Sequence, residues 1–191
     1  MARTNSEDLL RFPERRLEIL AHLLSEETAR FLVALGADGA RPLHWPLYET
    51  QAKWAMGGYL GELLVHGLNL ARARQRRWPI RAEQAVAVFD GLIPALPAFA
   101  RPSVAARATG VYHIHLRGGP HYTLEVKAGD MRVDFGRPQR AQLHVSADPL
   151  AYLLVGYGRV SRWSAPARGK ILAWGTRPWL ALRLANLIEQ P

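Results

Sequence analysis

The chain has 191 residues, 49% hydrophobic and 21% charged, with 25 Lys and Arg against 16 Asp and Glu and a formal charge of +9. This composition suits a globular protein able to bury a core as one domain or two small ones, and no apolar run reaches the ~18 residues that a membrane-spanning helix needs. Cysteine is absent, which excludes disulfides, thiolate metal sites and a cysteine nucleophile and fits a reducing, cytoplasmic setting.

Only Lys53, Lys127 and Lys170 are lysines, so the positive charge is carried by arginine. Such a charge fits an anionic partner, or equally an arginine-rich composition with solvated basic faces. No nucleic-acid-binding motif accompanies it and the aromatics are not interleaved with it, so no nucleic-acid partner is expected. The opening Met1-Ala2-Arg3-Thr4-Asn5-Ser6 lacks the apolar core of a signal peptide.

Residues 6–35 read as one helix. Ser6 is a candidate cap, Glu7 and Asp8 suit the first turn, and Leu9, Leu10, Leu17, Leu20, Leu24, Phe31 and Leu35 form the apolar face. Pro13 predicts a kink or a later start near Phe12, and Gly36 closes the helix. Residues 36–52 read as a loop, in which His44, Trp45 and Tyr48 either line a pocket or staple the loop to the helices.

A second helix is predicted from Ala52 to Gln75. Tyr59, Glu62, His66 and Asn69 share one face at i, i+3, i+7 and i+10, while Leu60, Leu63, Leu64, Leu68 and Leu70 cover most of the rest. A helix apolar nearly all round is expected to be buried, and a buried carboxylate and imidazole need a partner. Glu62 and His66 meet that need either by pairing at i,i+4 or as two ligands of a divalent metal. A third helix runs from Ala82 to Leu96. Pro94, Pro97 and Pro102 then place a domain boundary near residues 97–105, dividing a helical region, 1–100, from a second domain, 101–191.

Beyond the boundary the hydrophobic period becomes two. Tyr112, Ile114 and Leu116, then Tyr122, Leu124 and Val126, then Met131, Val133 and Phe135, then Leu143 and Val145 alternate with polar residues, and short turns separate the runs. Four half-buried strands in an antiparallel meander are predicted, with His113, His115 and His144 on the polar face as a solvated surface or a metal site. Asp148 caps the next helix, with Pro149 at its first position. Residues 166–175 and 178–189 read as two further helices or one broken helix. The expected class is α+β: helices, followed by an antiparallel sheet covered by helices.

Glu62-Leu63-Leu64-Val65-His66-Gly67-Leu68-Asn69-Leu70-Ala71-Arg72, followed by Trp78-Pro79-Ile80, resembles the mycothiol-dependent maleylpyruvate isomerase family, a branch of the DinB-like metal-binding helical bundles. Asp148-Pro149-Leu150-Ala151 with Gly158-Arg159, then Gly169-Lys170-Ile171-Leu172-Ala173-Trp174-Gly175, resembles the sterol-carrier-like domain that follows the bundle in many such proteins. The resemblance implies zinc or another divalent metal on Glu62 and His66, mycothiol as thiol cofactor, and Arg159 as a catalytic group holding an acidic substrate. It also implies that the chain begins at about the third helix of a partial bundle. No position matches the third metal ligand, an earlier-helix histidine, and Asn69 stands where the family often has Asp. Half a bundle leaves an apolar face open, so a homodimer is expected, with no membrane partner. Two functions follow: a metal- and thiol-dependent isomerase or thiol transferase, and a non-enzymatic sterol-carrier-like module that binds an apolar ligand while Glu62 and His66 merely pair.

Overall fold

A computed structural model describes residues 10–45 and 48–188. The chain divides into two compact units, the first ending at Arg41 and the second running from Pro42 to Gln190. The expected cap at Ser6, with Glu7, Asp8 and Leu9, lies outside the described residues.

The first unit carries α1 (Leu17–Leu35). Residues 12–16 are not helical, because Pro13 has no N–H to give and biases the residue before it toward extended backbone. The carboxylate of Glu14 accepts the N–H groups of Arg15 and Arg16, both at 2.8 Å. Leu17, Leu24, Leu32 and Val33 remain exposed.

The second unit opens with a hairpin, β1 (Pro42–Trp45) and β2 (Tyr48–Gln51), where the sequence suggests only a loop. His44 faces Glu49 across it, Nδ1 to Oε1 at 2.6 Å. The side chains of Trp45 and Tyr48 lie outside the described residues. Two helices follow, α2 (Ala52–Ala73) and α3 (Ala82–Ala95), close to their predicted spans. Gln84 accepts the Arg81 N–H at 2.9 Å at the start of α3. Their backbones touch at Gly57 and Gly91: a methyl group added to Gly57 would stand 2.6 Å from the Gly91 Cα and 2.9 Å from the Ala87 carbonyl oxygen. The packing face of α2 is therefore this glycine crossing with Gly61, Leu64 and Val65 beside it, while Glu62, His66 and Leu70 are exposed. That corrects the expectation of a helix buried nearly all round.

A tight turn (Leu96–Phe99) and α4 (Pro102–Ala105) lead into the sheet. Its strands are β3 (Gly110–Leu116), β4 (His121–Lys127), β5 (Asp130–Phe135), β6 (Leu143–Ala147) and β7 (Ile171–Trp174), in the order β5-β4-β3-β6-β7. Strands β3 to β5 form the predicted meander. Ala128 and Gly129 both have positive φ, 54° and 96°, as the two-residue turn joining β4 to β5 requires. The sheet is mixed rather than antiparallel, because β6 does not add to β5: it lies parallel to β3, pairing Tyr112 with Leu143 and Ile114 with Val145. The side-chain chemistry accounts for this order. In β6, Leu143, Val145 and Ala147 are fully buried, as befits an inner strand, whereas β5 carries Asp130, Arg132 and Asp134 and takes the edge.

After β6 come α5 (Pro149–Gly156) and the short α6 (Ser164–Ala167), then β7 where a helix is predicted, and finally α7 (Leu180–Leu187). Gly169, at φ +65°, ends the helical turn, and Ile171-Leu172-Ala173-Trp174 pairs with β6. The Asp148 cap stands as predicted, accepting the Ala151 N–H at 2.9 Å and the Lys170 ammonium at 3.0 Å. Burial raises the Asp148 carboxyl's proton affinity, but those two contacts outweigh it and the net shift is downward. One core runs through the unit. Leu64, Val88 and Ile93 join Ile114, Leu124, Leu153 and Leu187, so residues on both sides of 97–105 share it.

Candidate functional site

The polar stripe of α2 is met by the turn that ends α5. Glu62 Oε2 and His66 Nε2 lie 3.0 Å apart, on side chains that are 49% and 65% exposed. The pair is therefore a solvated i,i+4 contact, and burial does not force a metal upon it. Gly158 turns the chain at φ +65°, which presents Tyr157 and Arg159 to the same helix. The Tyr157 hydroxyl donates to Glu62 Oε1 at 3.4 Å, packed where Gly61 has no side chain. Arg159 donates from Nε to Asn69 Oδ1 at 3.0 Å and from Nη1 to the Tyr157 carbonyl at 2.8 Å. The structure thus places Glu62, His66 and Arg159, the residues expected to act, along one helix face, with Arg159 held by Asn69, in an arrangement that ties a turn to a helix. A catalytic zinc takes three protein ligands. Among the described residues no three His, Asp or Glu side chains gather to hold a metal ion, and the two candidate donors here face each other.

The polar face of the sheet is more ordered than a solvated surface requires. The register sets His113 beside His144 on β6 and His115 beside His121 on β4. His113 Nδ1 lies 3.1 Å from His144 Nδ1, and His113 Nε2 lies 2.9 Å from His121 Nδ1. Arg137 reaches His121 Nε2 from its own Nη2 at 3.2 Å and from Nε at 3.3 Å.

Arginine only donates, and Arg137 Nε lies 3.4 Å from His121 Nδ1 as well as 3.3 Å from Nε2. Burial, followed by the neighbouring His121, His144 and Arg137, pushes the His113 imidazole down to about 4. Burial and His115 lower His121. His113 uses both ring nitrogens on different partners, so the rings do not converge on one point. His121 escaped the sequence reading because it follows Pro120 at the first position of its strand, where alternation has only just begun.

The opposite, apolar face runs out at the β5 edge. Along β5, Met131 is buried, Val133 half-buried and Phe135 58% exposed, its ring 5.5 Å from that of Tyr122. Beside this edge lies an open cleft of about 420 Å³ lined by Pro97, Ala100, Pro102, Met131 and the 129–132 turn. Pro97 and Pro102, two of the three prolines that suggest a boundary in sequence, form one wall of it.

No family model and no curated protein matches the chain. Solved structures show likeness to about half of it. The inverting sec-alkylsulfatase Pisa1 from Pseudomonas sp. is similar over 52% of the chain at 12% identity and a TM-score of 0.47, and the chain spans only 16% of that enzyme. Sterol carrier protein 2 like 2 from Aedes aegypti is similar over 56% of this chain and 100% of its own, at 22% identity and a TM-score of 0.46. The sterol carrier protein domain 2 of Helicoverpa armigera matches 53% of this chain and 84% of its own at 16% identity, with a TM-score of 0.45. Nothing in these comparisons supports the maleylpyruvate isomerase resemblance.

Proposed function

We propose that the second unit is a non-enzymatic binding module for an apolar ligand, of the sterol-carrier type to which residues 148–175 bear their resemblance. The observation that carries this reading is the uncovered β5 edge of the apolar sheet face, with the cleft of Pro97, Ala100, Pro102 and Met131 at the start of the strand and Phe135 exposed at its end. Apolar surface left in water costs about 25 cal/mol per Å², so a long-chain or polycyclic hydrocarbon that covers it is favoured. Arg132 and Asp130 at the rim offer hydrogen bonds to a polar head group. The rival reading, a thiol-dependent isomerase with a metal on Glu62 and His66, needs a third ligand, and among the described residues none joins that pair.

The test is fluorescence titration with a fluorescent long-chain fatty acid and a fluorescent sterol, on the wild type and on Ala100→Trp, which fills the cleft. We expect saturable binding of one ligand at a Kd of about 1 µM. Ala100→Trp should weaken it by about tenfold or more, with the melting temperature unchanged. Absence of saturable binding of either probe, or equal affinity in a folded Ala100→Trp, refutes the reading.

A further inference from the structure

From Pro149 to Ile188 the chain holds no Asp or Glu but six cations: Arg159, Arg162, Arg168, Lys170, Arg177 and Arg183. The same stretch holds three of the six tryptophans, Trp163, Trp174 and Trp179, at 60%, 51% and 55% exposure, together with exposed Leu172 and Leu182. Tryptophan left half in water is unusual three times over in one segment, and the fold gathers Trp179, Leu182 and Trp163. Trp179 flanks the N-terminal end of α7, and Leu182 and Asn186 follow at i+3 and i+7, so the three share its outer face. Arg162 Nη1 donates to Asn186 Oδ1 at 2.9 Å, and the Arg162 guanidinium lies 5.5 Å from the centre of the Trp163 ring. A continuous band therefore runs Trp179, Leu182, Asn186, Arg162, Trp163. Leu172 and Trp174 project from the other, polar face of the sheet, opposite Ser146 and His144, and are not part of the band. The C-terminal end of α7 reaches the segment that walls the β5 cleft: the Leu187 carbonyl accepts the Arg101 N–H at 2.8 Å, and Ala100 pairs with Ile188.

We propose that this band is a docking surface for an anionic lipid bilayer. The chemistry favours that occupant. Tryptophan settles at the boundary between head groups and acyl chains, where its ring is apolar and its N–H still finds a partner. Leu182, on the same helix face as Trp179, enters the acyl region. Arginines with no carboxylate among them in sequence are complementary to acidic head groups. A single-stranded nucleic acid would use flat aromatic platforms with arginine, but it has no use for the exposed Leu182. The described residues hold no helix long and apolar enough to cross a membrane, so the contact is peripheral.

The test uses the full chain with phosphatidylcholine vesicles, with and without phosphatidylserine, by co-sedimentation and tryptophan emission. Binding is expected only to the phosphatidylserine vesicles, with a blue shift of emission and release by salt. Leu182→Glu and Trp163→Ala should each abolish or strongly weaken binding. Arg162→Glu should weaken it by more than the fivefold or so expected for loss of one cation. All these side chains are exposed, and melting curves confirm that the variants remain folded. The proposal is overturned by no binding to phosphatidylserine vesicles, by binding that Leu182→Glu and Trp163→Ala leave unchanged, or by single-stranded RNA competing the protein off the vesicles through the same residues.

Discussion

Replacing Gly57 by alanine should destabilise the second unit although alanine is the better helix former. Alanine in place of a mid-helix glycine gains up to about 1 kcal/mol. Against this, the new methyl would stand 2.6 Å from the Gly91 Cα and 2.9 Å from the Ala87 carbonyl oxygen. Ordinary carbon contacts lie at ~3.5–4.0 Å, so α2 and α3 must part by about 1 Å. Both obstructing groups are backbone and cannot rotate away. A gap of that size forfeits a quarter to a half of the dispersion energy of every pair along the crossing, where Leu64, Val65 and Val88 also meet the core. Overpacking of this kind costs about 1–3 kcal/mol, more where backbone is involved. The net expectation for Gly57→Ala is a loss of about 2 kcal/mol, or ~4–8 °C in melting temperature for a unit of this size. Gly91→Ala should behave alike. Gly58→Ala is the control: its nearest neighbour would be Leu92 Cδ2 at 3.9 Å, so it should be neutral or stabilising by up to about 1 kcal/mol. Urea and thermal denaturation followed by far-ultraviolet circular dichroism measure all three. A Gly57→Ala protein as stable as Gly58→Ala refutes the crossing.

The exposed Glu62–His66 pair should contribute only about 0.3–0.5 kcal/mol, so Glu62→Gln should barely move the urea midpoint; a loss above about 1 kcal/mol would mean that the pair does more than close a helical turn. Acid stability should carry the mark of His113. Its folded imidazole titrates at about 4 against 6.5 for the free group, and the neutral form is the one the fold accommodates. Above 6.5 folded and unfolded chains are both neutral there. As pH falls from 6.5 toward 4 the unfolded chain takes the proton first, and stability is lost across that window. His113→Gln should flatten the loss in urea midpoint between pH 7 and 5. A variant that loses as much as the wild type would show that burial beside the other imidazoles does not hold His113 neutral.

Local pattern by itself determined much of this protein. Alternation at Tyr112–Leu116 and Tyr122–Val126 assigns each side chain to a sheet face, because a strand has a period of two whatever lies beside it. Asp148 and Pro149 mark a helix start through groups only three residues apart. The i,i+4 spacing of Glu62 and His66 is enough to pair them. Periodicity names a face but never a neighbour, and there the tertiary structure decided. It set β6 parallel to β3 rather than beside β5, since either position would bury Leu143 and Val145, and only competition with the charged β5 strand selects one. It made Ile171–Trp174 a strand, because four apolar residues fit helix and strand alike until an open edge pairs with them. It turned the polar stripe of α2 to solvent and its glycines inward, because backbone can approach backbone only where there is no side chain. It also joined His113, His121 and His144 into one chain, and Trp179, Leu182 and Trp163 into one band, from residues that are far apart or out of phase in sequence.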